Sequence, residues 1–220
     1  MRMRHKKWAA PELAACRYFI DSPEKARGKW RSMFKNSDAP LYIELGCGKG
    51  VFTADFALRN PDCNILAIDI KSDVLAVARR NIEKLFSDNN STNNNIILTA
   101  YNVANIDSVI SEDDKVDRIY INFCNPWPKK KHKKRRLTYT AFLDKYKVFL
   151  KKGGEIHFKT DDDELFEESL EYFIEAGFKL HDVCRDLHAS SFEDNVLTEH
   201  EIMFSNEGKT IKRCVAEYVS

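Results

Sequence analysis

The sequence lacks the cysteine patterns that hold together small secreted domains or zinc modules. Its six cysteines, at positions 16, 47, 63, 124, 184 and 214, form no Cys-x-x-Cys pair and show no recurrent spacing. We therefore expect reduced thiols, with neither a disulfide framework nor a bound metal. There is also no secretory signal pattern and no apolar run of membrane-spanning length, which favours a cytoplasmic protein without a membrane partner.

Net charge is almost absent, but charge is segregated along the chain. The formal net charge is +1, from 35 Lys and Arg against 34 Asp and Glu. Positions 126–143 contain seven Lys or Arg and no acid, whereas positions 161–171 contain seven acids and no base. Because the local field decides how a surface meets a polyanion, this pattern is compatible with a nucleic-acid partner.

Apolar runs alternate with helical patterns along most of the chain, which predicts an α/β fold. Strands are predicted at 41–45, 64–69, 96–99, 118–123, 155–160, 178–185 and 211–219, and helices at 51–59, 72–86, 138–151 and 164–176, with Ser72 and Thr138 as N-caps. Strands separated by helices predict a mainly parallel seven-stranded sheet with helices on both faces. Since no helix is predicted between the last two strands, they should form an antiparallel pair at one edge.

The first 38 residues are predicted to be separate from this pattern. We expect residues 1–38 to form a basic N-terminal arm or helical extension, and residues 39–220 to form the main domain. The first eight residues read either as a mobile basic arm that contacts RNA or as a plain disordered terminus.

A glycine-rich loop follows the first predicted strand, in the segment Glu44-Leu45-Gly46-Cys47-Gly48-Lys49-Gly50. A dinucleotide fingerprint would need glycine where Val51 stands, and a P-loop would need Ser or Thr where Gly50 stands, so neither fits. The pattern acid-x-Gly-x-Gly-x-Gly resembles the S-adenosylmethionine loop of Rossmann-like methyltransferases. Asp69, at the end of the second strand, is placed to accept hydrogen bonds from two ribose hydroxyls.

Four polar residues stand at or just past the ends of the first four strands: Glu44, Asp69, Asn102 and Asn125. Because ligands collect at the carboxyl ends of strands in an open parallel sheet, one pocket is predicted to contain all four. Asn102 would suit an adenine edge. The alternatives are an ordinary strand-end carboxylate for Glu44, a helix N-terminal acid for Asp69 and a turn-forming residue for Asn102.

The fourth strand leads into Asn125-Pro126-Trp127-Pro128 and then into a run of cations. The two prolines restrict the backbone and end the sheet, so the indole of Trp127 is held beside dense positive charge. A stacking surface next to phosphate-neutralising charge is what a nucleic-acid site requires. The alternatives are a solvated lysine face and a core tryptophan.

Five motifs occur together between Leu41 and Val219: ELGCGKGVF at 44–52, Asp69, INFCNPWPKKKHKKRRLT at 121–138, IHFKTD at 156–161 and TEHE at 198–201. With this combination the chain closely resembles the bacterial tRNA (guanine-N7)-methyltransferase family. The resemblance implies a Rossmann-like class I methyltransferase domain that uses S-adenosylmethionine and modifies guanine 46 in the variable loop of tRNA, as a monomer or a homodimer.

The resemblance also implies roles for individual residues. The S-adenosylmethionine set is Glu44, Gly46, Gly48, Gly50, Asp69, Asn102 and Asn125. The substrate set is Lys129, Asp161, Thr198, Glu199, His200 and Glu201. The RNA-contacting stretch is Lys131, His132, Lys133, Lys134, Arg135 and Arg136, and the catalytic residues are Asn125 and Asp161.

The chain departs from the family pattern at three of these positions. The family usually has Asp in place of Asn125, Tyr in place of His200 and Glu in place of Asp69. The last two are mild, although His200 could also be an ordinary strand-edge histidine. The amide of Asn125 removes a charge from the centre of the predicted site, which bears on the efficiency of transfer.

The expected chemistry needs no general base, because guanine N7 already holds a lone pair outside the ring π system. Catalysis should come from orientation, worth up to about 7–11 kcal/mol in well-aligned cases. Asp161 and Glu201 could bind the N1–H and N2–H₂ donors of guanine and stabilise the charge left by methylation. The alternative role of Asp161 is to cap the following helix.

Two other functions fit part of the sequence. Asn125-Pro126-Trp127 is one residue short of the Asn-Pro-Pro-aromatic motif of amino-methyltransferases, which act on an exocyclic base amine. A non-catalytic RNA-binding module with a vestigial cofactor loop is the third hypothesis, and detection of methyl transfer would end it.

Overall fold

The computed structural model describes residues 6–219, apart from the side chains of residues 205 and 206. The chain divides into two compact units, Met1–Asp114 and Lys115–Ser220, which are described separately below as unit 1 and unit 2.

Unit 1 is built on a parallel sheet in the order β1-β4-β3-β2. Its strands are β1 (Phe19–Ile20), β2 (Leu41–Leu45), β3 (Asn64–Asp69) and β4 (Ile96–Ala100), and its helices are α1 (Ala9–Ala14), α2 (Val51–Arg59) and α3 (Ser72–Asp88). The strands β2 to β4 are buried almost throughout, as parallel strands covered by crossover helices should be. The three predicted strands of this unit are confirmed, and the two-residue β1 is an addition too short to leave a sequence pattern.

The segment before β2 packs against the rest of unit 1. Trp30 is completely buried, and its Nε1 donates to the carbonyl oxygen of Val109 at 2.7 Å. Positions 1–5 of the predicted basic arm lie outside the described residues. From Lys6 onward the chain lies against α3: the Lys6 backbone N–H donates to Asp73 at 2.9 Å, and the Arg80 guanidinium lies 3.6 Å from the centre of the Trp8 ring. Residues 6–8 thus contact α3, and the mobility of the basic arm stays a prediction.

Unit 2 has a mixed sheet in the order β5-β6-β8-β7. Its strands are β5 (Val116–Asn122), β6 (Leu150–Thr160), β7 (Phe178–Cys184) and β8 (Lys212–Tyr218), and its helices are α4 (Thr140–Phe149), α5 (Asp163–Glu175) and α6 (Glu199–Asn206), with a 3-10 helix at Lys130–Arg135. The strands β5 and β6 are parallel, whereas β8 runs antiparallel to both β6 and β7. The predicted antiparallel pair at the sheet edge is confirmed.

Three local predictions for unit 2 were wrong. Helix α6 lies between β7 and β8, where no helix was expected; the missed signal is a capping pattern, in which Thr198 Oγ1 accepts from the Glu201 N–H at 2.9 Å. Thr138 does not cap α4, because its buried hydroxyl lies 2.7 Å from Ser169 Oγ. Strand β6 already begins at Leu150, and Gly153, with φ of 75°, lies in its irregular first part.

Within residues 6–219, no helix combines the length and the apolar character needed to cross a membrane.

Candidate functional site

The glycine-rich loop between β2 and α2 has three left-handed glycines. Gly46, Gly48 and Gly50 have φ of 83°, 54° and 68°, a region that other residues enter only at a cost. A Cβ added at Gly46 or Gly48 would meet nothing within 4 Å, so the space beside them is open. A Cβ at Gly50 would lie 2.8 Å from Ala78 Cβ on α3. Gly50 therefore permits close helix packing, and Gly46 and Gly48 leave backbone accessible to a ligand.

Glu44 braces this loop from inside the fold. Glu44 is the penultimate residue of β2, just before the glycines, and is only 3% exposed. One carboxylate oxygen accepts a hydrogen bond from the hydroxyl of Thr53 on α2. A buried carboxylate is stable only when it is hydrogen-bonded, and here that bond ties the end of β2 to the following helix.

Asp69 joins the glycine loop to the start of α3. It is the last residue of β3; its Oδ2 accepts from the Gly48 N–H at 3.0 Å, and its Oδ1 accepts from the Lys71 N–H at 2.9 Å. Since each carboxylate oxygen has two acceptor sites, both oxygens keep one free for a further donor. The half-buried carboxylate is thus held in one orientation beside the open loop.

Asn102 follows β4 and is exposed. Its Oδ1 accepts from the Ala104 N–H at 3.0 Å and caps the 3-10 helix Val103–Ser108. No hydrogen-bond partner for its Nδ2 is found among residues 6–219, so the amide can still donate to a ligand. Unit 1 therefore places Glu44, Asp69 and Asn102 at the carboxyl ends of three neighbouring parallel strands.

In unit 2 the residues after β5 form a stiff corner. The Asn125 Oδ1 accepts from the Trp127 N–H at 3.1 Å, a local turn in which Trp127 takes a left-handed φ of 44°. The indole lies 5.7 Å from the His132 ring, centre to centre, and 5.2 Å from the Arg135 guanidinium. The predicted combination of an aromatic corner and adjoining positive charge is present.

The basic run after this corner is a 3-10 helix whose cations fall into two groups. The exposed group is Lys129, Lys130, Lys131, Lys134 and Arg135. Lys133 instead pairs with Glu164 at 2.7 Å and with Glu168, and these bonds raise the pKa of its ammonium. Arg136 is only 1% exposed, which argues against the predicted contact of this side chain with RNA.

Asp161 follows β6 and is not the cap of α5. That role belongs to Asp162, whose Oδ1 accepts from the Leu165 N–H at 2.7 Å. The half-buried Asp161 carboxylate forms an ion pair with Lys209 at 3.4 Å, and the backbone oxygen of Asp161 accepts from Lys212 at 3.0 Å. The capping alternative is therefore wrong, and the carboxylate keeps acceptor sites for a substrate.

Glu201 is completely buried and paired with a lysine that the sequence analysis did not single out. The Lys159 Nζ donates to Glu201 Oε2 at 2.9 Å, to Asn195 Oδ1 at 3.0 Å and to the Val196 carbonyl at 2.9 Å. A buried lysine needs an acidic or carbonyl partner. The presence of Lys159 within a predicted strand was therefore the sequence signal that could have revealed this ion pair. Contact of Glu201 with guanine would compete with this pair.

His200 lies on α6 and not at a strand edge, so that alternative is wrong. Its exposed imidazole stacks on Phe123, with ring centres 6.0 Å apart and planes 17° from parallel. Phe123, with φ of 52°, was not predicted as a site residue. Thr198 caps the same helix, and Glu199 lies in its first turn.

Comparison with known proteins identifies the family. A family profile described as "Putative methyltransferase" matches residues 38–214. A tRNA (guanine-N(7)-)-methyltransferase of Clostridium perfringens is 55% identical over 217 residues, 99% of each chain, and one of Clostridium beijerinckii is 57% identical over 216 residues, 98% of each chain. The chain belongs to the tRNA (guanine-N7)-methyltransferase family. Membership of this enzyme family answers the non-catalytic hypothesis: the chain is a methyltransferase.

Solved structures agree on the fold of this family member. The 16S rRNA methyltransferase KamB has a TM-score of 0.60 at 12% identity and covers 86% of this chain and 91% of its own. A precorrin-6y C5,15-methyltransferase of Geobacter metallireducens has a TM-score of 0.54 at 14% identity and covers 98% of this chain and 90% of its own. At these identities the likeness shows the fold alone, and it confirms the predicted Rossmann-like fold of class I methyltransferases.

For a methyltransferase of this class, the groups of unit 1 have the chemistry that a nucleoside cofactor needs: open glycine backbone, an oriented carboxylate and a free amide donor. Among the residues that the structure describes, no cluster of three His, Cys, Asp or Glu side chains could hold a metal ion. That one pocket contains all four strand-end residues, including Asn125 of unit 2, stays a prediction.

Proposed function

We propose that this enzyme transfers a methyl group from S-adenosylmethionine to N7 of guanine 46 in the variable loop of tRNA. Family membership gives the reaction class. The observation that carries the substrate assignment is the corner of Asn125 and Trp127 followed by an exposed cationic 3-10 helix, since it joins a stacking surface to phosphate-binding charge.

The cofactor is proposed to be held by Glu44, Gly46, Gly48, Gly50, Asp69 and Asn102, with Asn125. When bound, it supplies an electrophilic methyl group on a sulfonium. The free acceptor sites of Asp69 suit ribose hydroxyls, and the Asn102 Nδ2 suits an acceptor nitrogen of adenine. Glu44 and Gly50 act from inside, by holding the loop against α2 and α3.

The guanine is proposed to be bound by Lys129, Asp161 and the Thr198 to Glu201 segment. Because Asp161 does not cap α5, its carboxylate can accept from the N1–H and N2–H₂ edge and stabilise the positive charge that methylation leaves on the purine. The buried Glu201 is better suited to order this segment through Lys159 than to touch the base. No residue is required to remove a proton from N7 before transfer.

The tRNA backbone is proposed to meet Lys131, His132, Lys134 and Arg135 of the basic run, together with the exposed Lys130. Residues 1–38 are proposed as an extension of the catalytic domain at 39–220.

The amino-methyltransferase alternative is disfavoured by the same corner. In that mechanism the Asn and Pro carbonyls both accept from the target amine. Here Trp127 stands where the second proline of the motif would be, and each of the two oxygens already uses one acceptor site: the Asn125 Oδ1 on the Trp127 N–H and the Pro126 carbonyl on the Arg136 Nε.

A tRNA with one changed atom tests the proposal. Two transcripts are compared that differ only at position 46, one with guanine and the other with 7-deazaguanine, which keeps the pairing edge but lacks N7. Transfer of labelled methyl to the first and not to the second is expected. Equal transfer to both would contradict the proposal, and the variant Asp161→Asn, expected to be slow on the guanine transcript, serves as the enzyme control.

A further inference from the structure

Arg136 is the last cation of the basic run and is the member that solvent does not reach. Its side chain is fully buried, although the neighbouring Arg135 is exposed. A guanidinium stays charged in proteins, so it can be buried only where acceptors surround it. Its neighbours therefore indicate what it does.

Three groups surround this guanidinium. The Arg136 Nε donates to the carbonyl oxygen of Pro126 at 2.7 Å, and Nη1 donates to Glu168 on α5. The Nη2 atom lies 3.6 Å from a carboxylate oxygen of Glu164, at ion-pair but not hydrogen-bond distance. The arginine thus joins the corner after β5 to helix α5.

Glu168 is the shared counter-charge of this arrangement. Besides Arg136 it accepts from Lys133 and from the Tyr172 hydroxyl, the latter at 3.1 Å. Burial alone would raise the pKa of the Glu168 carboxyl, but the hydrogen bonds from Lys133 and Tyr172 and the charge of Arg136 outweigh it and lower that pKa. The carboxylate that faces the buried arginine is therefore stabilised in its ionised form.

Two hydrogen bonds then fix the corner. One closes the turn from Asn125 Oδ1 to the Trp127 N–H, and the other fixes the peptide oxygen of the residue between them, Pro126. Because proline has no backbone N–H, its carbonyl oxygen is the backbone group of that residue that can form a hydrogen bond. Removing the second bond would leave the corner held by the local turn and by the contacts of the Trp127 ring with His132 and Arg135.

We propose that Arg136 and Glu168 form a positioning pair that holds the Asn125-Pro126-Trp127 corner in its reactive geometry, and that Arg136 is not a phosphate contact. The inference rests on the proposed function, since the corner matters for methylation only if Asn125 and Trp127 belong to the site. It divides the basic run into an exposed group for RNA and an enclosed group for the corner.

The test uses four variants of the full chain. Arg136→Gln and Glu168→Gln remove the pair from either side. Glu167→Gln is the matched control, because Glu167 is the adjacent residue of α5 and pairs on the surface with Arg185 at 2.7 Å. Lys134→Gln is the reference for loss of a phosphate contact. For each variant, kcat, KM for tRNA, and the salt dependence of the tRNA Kd are measured.

A second readout does not depend on activity. Incorporated 5-fluorotryptophan gives one ¹⁹F resonance for each of the three tryptophans, and Trp127→Phe assigns that of the corner. We expect Arg136→Gln and Glu168→Gln to shift or broaden the Trp127 resonance, while the Trp8 and Trp30 resonances stay in place. This NMR measurement tests whether the Arg136–Glu168 pair positions the corner, even if the wild-type enzyme has another substrate.

In the kinetic measurements we expect Arg136→Gln and Glu168→Gln to lower kcat by about 10- to 100-fold, since small misplacements of reacting groups have effects of that size. The slope of log Kd against log salt should remain that of the wild type, whereas Lys134→Gln should flatten it by about 0.7–0.9. Glu167→Gln should behave as the wild type. If Arg136→Gln does not fold, Glu168→Gln decides alone. An unchanged Trp127 resonance, or a flattened salt slope with kcat retained, would overturn the inference.

Discussion

Replacement of Asp69 tests two roles of one carboxylate: its loop contacts in the structure and its proposed contact with the cofactor ribose. It accepts from the Gly48 and Lys71 N–H groups at 3.0 and 2.9 Å, and its remaining acceptor sites are proposed to bind the ribose of the cofactor. Asp69→Ala should therefore destabilise the loop without cofactor and also weaken cofactor binding.

The expected magnitudes follow from these bonds. Hydrogen bonds to a charged group are worth about 1.5–3 kcal/mol, and loss of such bonds to the ribose should weaken S-adenosylmethionine binding by about 10- to 150-fold. Loss of the two backbone bonds should cost the free enzyme only about 1–3 kcal/mol of stability, because water can reach the half-buried site. Asp69→Asn keeps one acceptor oxygen for two N–H donors and should lie between Asp69→Ala and the wild type. Asp69→Glu restores the family residue and should bind nearly as the wild type does.

Calorimetry with S-adenosylmethionine and thermal unfolding without it measure the two roles separately. Asp73→Ala is the control for the binding measurement, since Asp73 is an acid of the first turn of α3 that accepts from the Lys6 backbone N–H. A folded Asp69→Ala enzyme that is less stable but binds S-adenosylmethionine with unchanged affinity would refute the cofactor role and leave Asp69 as a loop brace.

Four further outcomes are expected. Gly50→Ala should destabilise the enzyme by about 1–3 kcal/mol in thermal unfolding, because the new Cβ would lie 2.8 Å from Ala78; full stability would contradict this packing. Lys134→Gln should raise the tRNA Kd at low salt more than at high salt, and a salt-independent change would count against a phosphate contact. Asn125→Asp should keep the turn, since either side chain offers Oδ1 to the Trp127 N–H, and should equal or exceed the wild type in methylation rate; inactivity would favour an amino-methyltransferase. The hydrogen bond with His157 and the neighbouring charge of Arg118 lower the pKa of Glu155 to about 2. The contribution of this carboxylate to the free energy of unfolding is therefore complete above its unfolded pKa of about 4.3 and is lost as pH falls toward 2. Glu155→Gln should therefore flatten the pH dependence of the unfolding free energy in that window, and an unaltered profile would exclude the pair.

Much of the fold could be predicted from the sequence because it rests on local patterns. The parallel strands are continuous apolar runs, and the glycine-rich loop can be recognised from the spacing of its glycines. Helix α2 has the predicted bounds, residues 51–59. Gly46 and Gly48 have the left-handed φ values that favour glycine at such a turn, while their role in cofactor binding stays a prediction. Such features need no knowledge of distant contacts.

The remaining features depend on partners far along the chain. The sequence alone cannot show that Arg136 is enclosed while Arg135 is exposed, since that difference arises from the approach of Glu168, 32 residues later. The pairing of Lys159 with Glu201 spans 42 residues and was missed for the same reason. The cap of α5 is Asp162 and not Asp161, because the helix begins at Asp163. The sequence does not fix that boundary to within one residue.

Nucleoside analysis of the product tests the central claim most directly. The wild-type enzyme is incubated with unmodified tRNA and labelled S-adenosylmethionine, and the tRNA is then digested to nucleosides and separated. The account predicts that the label appears in 7-methylguanosine, mapped to position 46 of the variable loop. Label in N6-methyladenosine, or no transfer to tRNA by the folded enzyme, would contradict it.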